Sequence, residues 1–113
     1  MSEDKLVIEV GDEDFQAVVL ESDVPVLVDL WAPWCGPCKA ASPIVHAVAQ
    51  AFEGRAKVVK VNVDAAPAVA GSFPVQGIPA FLFFHKGEAV GLVVGARPDL
   101  KEQLTAHLDR LLA

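Results

Sequence analysis

Hydrophobic residues gather in short blocks separated by charged and turn-forming residues, and the period inside each block tells strands from helices. Leu6-Val7-Ile8-Glu9-Val10 reads as a short strand. Gly11-Asp12-Glu13-Asp14 then opens a helix over residues 14–21, with acidic residues against the positive end of its dipole and Phe15, Val18 and Val19 as its apolar face. Residues 24–32 are apolar at nearly every position and rich in Val, the pattern of a strand buried on both faces. Residues 39–52 are rich in Ala and Val with helical periodicity. Pro43 inside them removes a main-chain hydrogen bond and predicts a kink between a short first part and a packing segment.

Residues 56–63 read as a third strand, so the chain so far alternates strand and helix, which predicts parallel strands joined by right-handed crossovers. Residues 64–71, Ala-rich with Pro67, predict a short helix. Residues 80–84 and 89–94 flank His85-Lys86-Gly87-Glu88 as an antiparallel hairpin, which makes the sheet mixed. The last helix is expected to hold Pro98 in its first turn and to carry Leu100, Leu104, Leu108 and Leu111 on one face.

The chain of 113 residues, 53% of them hydrophobic, suits one α/β domain over residues 1–113 with a real core. A net charge of −6 without a basic run argues against nucleic acid and anionic membranes as partners. Met1-Ser2-Glu3-Asp4-Lys5 lacks the basic start and long apolar core of a secretory signal, and no apolar run approaches membrane-spanning length, so a cytoplasmic monomer is expected. There is no GxGxxG and no P-loop, hence no nucleotide cofactor of its own.

Both cysteines lie in Trp34-Cys35-Gly36-Pro37-Cys38, where the buried strand turns into a helix. The unpaired N–H groups and dipole of a helix start favour a thiolate at Cys35, the expected nucleophile. Cys38, one turn on and on the same side, is the expected resolving thiol. Gly36 permits the tight backbone, and Pro37 fits the first turn without wasting a donor. A zinc site would need four ligands, and His46, His85 and His107 stand at no finger spacing; no metal is expected. A c-type haem would need His where Lys39 stands. A structural disulfide remains the blander alternative, although closing so short a loop gains little entropy.

Asp29 is the one carboxylate inside the buried strand. Buried, it should hold its proton above the usual range and could accept one from Cys38; on a solvent-facing side of the strand it would do neither.

The run from Asp29 to Lys39 resembles the active-site signature of the thioredoxin family, with Gly77-Ile78-Pro79 and Lys86-Gly87-Glu88 at similar distances downstream. The resemblance extends from about Leu6 to Leu112. It implies the thioredoxin fold, a mixed five-stranded sheet (a βαβαβ half, then a ββα half) flanked by about four helices. It implies reduction of target-protein disulfides through Cys35 and Cys38, a buried Asp29 tuned by a nearby Lys60, and a cis peptide bond at Ile78-Pro79 facing the cysteines. Trp34, Gly36, Pro37, Gly77, Ile78, Pro79 and Gly95 would form the target-binding rim, while Trp31 packs in the core. Electrons would come from a separate flavin- and NADPH-using thioredoxin reductase. Pro33, Gln76 and Ala80 depart from the commonest family pattern at that rim. The alternative is a thioredoxin-like binding module that docks a partner at the same surface without turnover.

Overall fold

The computed structural model describes residues 6–113. The reading of residues 1–5 lies outside the described residues. Five strands, β1 (Val7–Glu9), β2 (Val26–Trp31), β3 (Lys57–Asn62), β4 (Ala80–His85) and β5 (Glu88–Val94), form one sheet in the order β1-β3-β2-β4-β5. The first three run parallel, whereas β4 runs antiparallel to β2 and β5 antiparallel to β4. This is the mixed α/β sheet expected of the thioredoxin fold.

The period-2 alternation of side chains assigns each strand residue to a face. On one face Leu27, Phe81 and Phe83 pack under α1 (Gly36–Ala51) and α3 (Leu100–Leu112) through Ala41, Val45, Val48, Leu100, Leu104 and Leu108. On the other, Val28, Leu30 and Phe84 pack with Phe15, Val19 and Val69 beneath a helical turn at Gln16–Leu20 and α2 (Pro67–Ser72). Phe81, Phe83 and Phe84 are at most 1% exposed, so truncating one to Ala would cost about 3–5 kcal/mol.

Several boundaries differ from the sequence reading. The expected helix over residues 14–21 is a five-residue π-helical turn closed by a bond from the Glu21 N–H to the Gln16 carbonyl. The Val18 carbonyl is taken instead by Lys57 Nζ at 3.0 Å. α1 begins at Gly36, not residue 39, because Cys35 caps it, and it continues through Pro43 to Ala51. α2 begins at Pro67, and its first amides are satisfied from a distance: Asp12 accepts from Ala68 and Val69 N–H at 3.1 and 2.9 Å. Pro98 lies before α3, which opens on Leu100 with Asp99 as its cap residue. The hairpin turn is only Lys86-Gly87, both at positive φ (55° and 83°), and His85 and Glu88 belong to the strands.

Candidate active site

The parallel strands place the end of β2 at the centre of the sheet, and α1 starts directly above it. Cys35 and Cys38 sit at that junction joined by a disulfide, with Cα atoms 5.3 Å apart. Cys35 is extended (φ −95°, ψ 104°) and caps α1: its sulfur accepts from the Cys38 N–H at 3.2 Å. A side chain that takes a helix's first free donor stabilises the helix start and, with a sulfur, directs a dipole at it. The same sulfur lies 3.8 Å from the Ile78 carbonyl oxygen. Ile78-Pro79 is cis, as the resemblance implies. Gly95, at φ 93°, donates to the Pro79 carbonyl at 2.8 Å and anchors that loop to the end of β5.

Exposure does not separate the two cysteines, since each is 4% exposed. What separates them is their surroundings. Cys38, but not Cys35, lines a cavity of about 260 Å³ with Asp29, Trp31, Lys39, Ser42 and Lys60. Asp29 is buried, and its Oδ1 has no hydrogen-bond partner among the described residues. Burial raises its pKa to about 7, against an opposing pull from Lys60 and a smaller push from Glu9. The register explains both charges: Glu9, Lys60 and Asp29 stand opposite one another across β1, β3 and β2. Lys60 Nζ lies 4.4 Å from the Trp31 ring centre, a cation over an aromatic face that holds it beside the cavity. Trp31 is only half-buried, so it lines this cavity as well as packing beside the cysteines.

Trp34 is 68% exposed, and its indole N–H donates to Asp64 at 2.8 Å. From it an apolar groove of about 320 Å³ runs over Val63, Phe73, Val75, Gly77 and Ile78. Pro79 is buried at the head of β4, while Gly36, Pro37 and Gly77 are exposed. The structure thus brings together all eleven residues named from the sequence: Asp29, Lys60 and Cys38 on one side of the disulfide, and on the other Trp34, Gly36, Pro37, Gly77, Ile78 and Gly95 around the buried Cys35 and Pro79. Sequence reasoning missed Ser42, Asp64 and Phe73. Ser42 had a signal, since it lies one helical turn beyond Cys38. The others come from loops whose approach no local pattern announces.

A disulfide that caps a helix, with a buried carboxyl under its second sulfur and an apolar groove beside its first, defines a thiol–disulfide exchange protein. Residues 6–110 match the thioredoxin family as a whole. Thioredoxin 1 of Nostoc sp. (strain PCC 7120 / SAG 25.82 / UTEX 2576) is 50% identical over 102 residues, covering 88% of this chain and 95% of that one. Thioredoxin of Porphyra purpurea is 43% identical over 107 residues, covering 95% and 98%, and the chloroplastic M-type thioredoxin of Spinacia oleracea is 42% identical over 109 residues, covering 96% and 59%. The chain belongs to the thioredoxin family. Its activity is that of a protein-disulfide reductase working through the redox-active pair Cys35 and Cys38.

Proposed function

We propose that the two cysteines divide the reaction as follows. The reduced Cys35 thiolate, held by the Cys38 N–H and the dipole of α1, attacks one sulfur of a target disulfide. A mixed disulfide forms, and the target's other sulfur leaves as a thiolate and takes a proton. Asp29 then accepts the Cys38 proton, and Cys38 attacks Cys35. The intramolecular disulfide forms, the bond to the target breaks, and the target leaves with both its sulfurs reduced. Two electrons have passed from this chain to the target. A carboxyl with its pKa near 7 suits both parts of that proton transfer at neutral pH. Lys60 keeps it from rising further.

The target lies extended across Trp34, Gly36, Pro37, Gly77, Ile78, Pro79 and Gly95. The Ile78 main chain pairs with it, as a β-strand would, while Pro79 leaves no competing donor. A separate flavin- and NADPH-dependent thioredoxin reductase restores the dithiol. We place the protein in the cytoplasm, where such a dithiol stays reduced; among the described residues no helix is long and apolar enough to cross a membrane. The observation that carries this reading is the cavity whose lining joins Cys38 to the buried Asp29 and does not include Cys35. The test is insulin reduction by dithiothreitol, together with trapping of a labelled disulfide peptide by single variants. Wild type should accelerate the reduction, and Cys38→Ser should accumulate the mixed disulfide while Cys35→Ser does not. A wild type no faster than dithiothreitol alone would instead make the surface a docking module.

A further inference from the structure

The row of residues that crosses the sheet at Asp29 is charged on one side and apolar on the other. Paired residues of neighbouring strands share a face, so Glu9, Lys60, Asp29, Phe81 and Val93 stand side by side across β1, β3, β2, β4 and β5, on the face toward α1 and α3. α3 turns Leu100, Leu104 and Leu108 to that face, and from α1 the groups that share the cavity with Asp29 are Cys38, Lys39 and Ser42. The charges around Asp29 are therefore two cations, Lys60 and Lys39, and one other carboxylate among the described residues, Glu9. Lys60 stands between the two carboxylates, and at a spacing of about 4.8 Å per strand Glu9 lies about 10 Å from Asp29. Packing does not require a carboxylate at residue 9, which is exposed on the edge strand.

We propose that Glu9 is a positioning residue for the second exchange step: from the edge of the sheet its negative charge offsets part of the Lys60 field at Asp29, and so keeps Asp29 able to receive the proton of Cys38. The proton passes from the Cys38 sulfur to Asp29, while Glu9 and Lys60 neither gain nor lose one. That role rests on Asp29 being the base that takes the Cys38 proton. The direction agrees with the forces on Asp29, which burial and Glu9 push upward and Lys60 pulls down. Without Glu9, the cation acts on Asp29 unopposed, and the carboxylate left behind is a weaker base.

Carboxyl NMR titration of Asp29 in the full chain tests the effect of Glu9 on it, and the pH profile of mixed-disulfide resolution by rapid quench tests its use in the reaction. Wild type should titrate at about 7. Glu9→Gln should lower that midpoint by roughly 0.3 pH units, the Coulomb effect of one charge about 10 Å away in an aqueous dielectric. Glu9→Lys should lower it by about twice as much, and Glu9→Asp should stay near wild type. Because Glu9 is exposed, 1 M salt, with a screening length of about 3 Å, should shrink the difference between wild type and Glu9→Gln. The resolution profile should move with the titration, while the first attack by Cys35 does not. A midpoint indifferent to the charge at residue 9 overturns the part given to Glu9 and leaves Asp29 as the base. A midpoint that moves while the resolution profile stays still removes Asp29 from the step, and Glu9 with it.

Discussion

Cys35 and Cys38 are equally sealed, share one bond and lie one helical turn apart, yet they look into unlike surroundings. Cys35 meets a helix N–H and a loop carbonyl beside the exposed Trp34 and an apolar groove. Cys38 meets a cavity whose floor is a buried carboxyl. What sets the two sulfurs apart is therefore donor, dipole and charge. In the proposed mechanism that difference makes Cys35 the sulfur that attacks as an anion and Cys38 the one that becomes an anion when a base takes its proton.

The sharpest way to break the comparison is to neutralise the carboxyl. Well below pH 3.8 Asp29 is protonated in both the folded and unfolded chain, and its raised pKa costs no stability. Between the unfolded value of 3.8 and the folded value of about 7 the unfolded chain ionises first, so stability falls with rising pH; above about 7 the loss is complete. At 1.36 kcal/mol per pKa unit that loss is about 4 kcal/mol. Asp29→Asn should therefore be more stable than wild type by roughly 2–4 kcal/mol at pH 8, the lower figure allowing for a buried amide with unmet hydrogen bonds, with the gain fading toward pH 4. Urea unfolding at both pH values measures it. The same variant should prolong the mixed disulfide in rapid-quench experiments by about a hundredfold near pH 7, the lower range for losing a general base, while the first attack by Cys35 changes little. Trp34→Ala acts on the other side: KM for a disulfide peptide should rise by roughly fivefold to tenfold with kcat nearly unchanged, the loss of about 1 kcal/mol of contact. The smallest effect belongs to Lys60→Met, which should move the Asp29 titration followed by carboxyl NMR upward from about 7, since Lys60 is the group that lowers it.

Much of this asymmetry was written locally in the chain. The cysteines stand where a buried strand turns into a helix, as read, although α1 starts at Gly36 and not at residue 39; Asp29, whose burial the sequence left open between core and solvent, is buried. The cross-strand row of Glu9, Lys60 and Asp29 needed a register, which follows once β1 and β2 flank β3. Other features had no local signature. Asp12 caps α2 across more than fifty residues, and Trp34 finds Asp64 across thirty. His107, expected as a plain helix-face residue, lies stacked on Phe83 with ring centres 4.5 Å apart. Gly91 leaves room for it, since a Cβ there would fall 3.1 Å from its Nδ1 and push the ring aside by a few tenths of an ångström. The bond from Lys57 Nζ on a distant strand to the Val18 carbonyl had no local signature either.

Peptide-resolved alkylation of the reduced protein addresses the difference between the sulfurs most directly. With exposure equal on both sides, iodoacetamide at pH 6.5 should modify Cys35 roughly tenfold or more faster than Cys38, because only the sulfur stabilised as a thiolate reacts. Labelling of Cys38 at the same rate as Cys35, or ahead of it, would contradict the account.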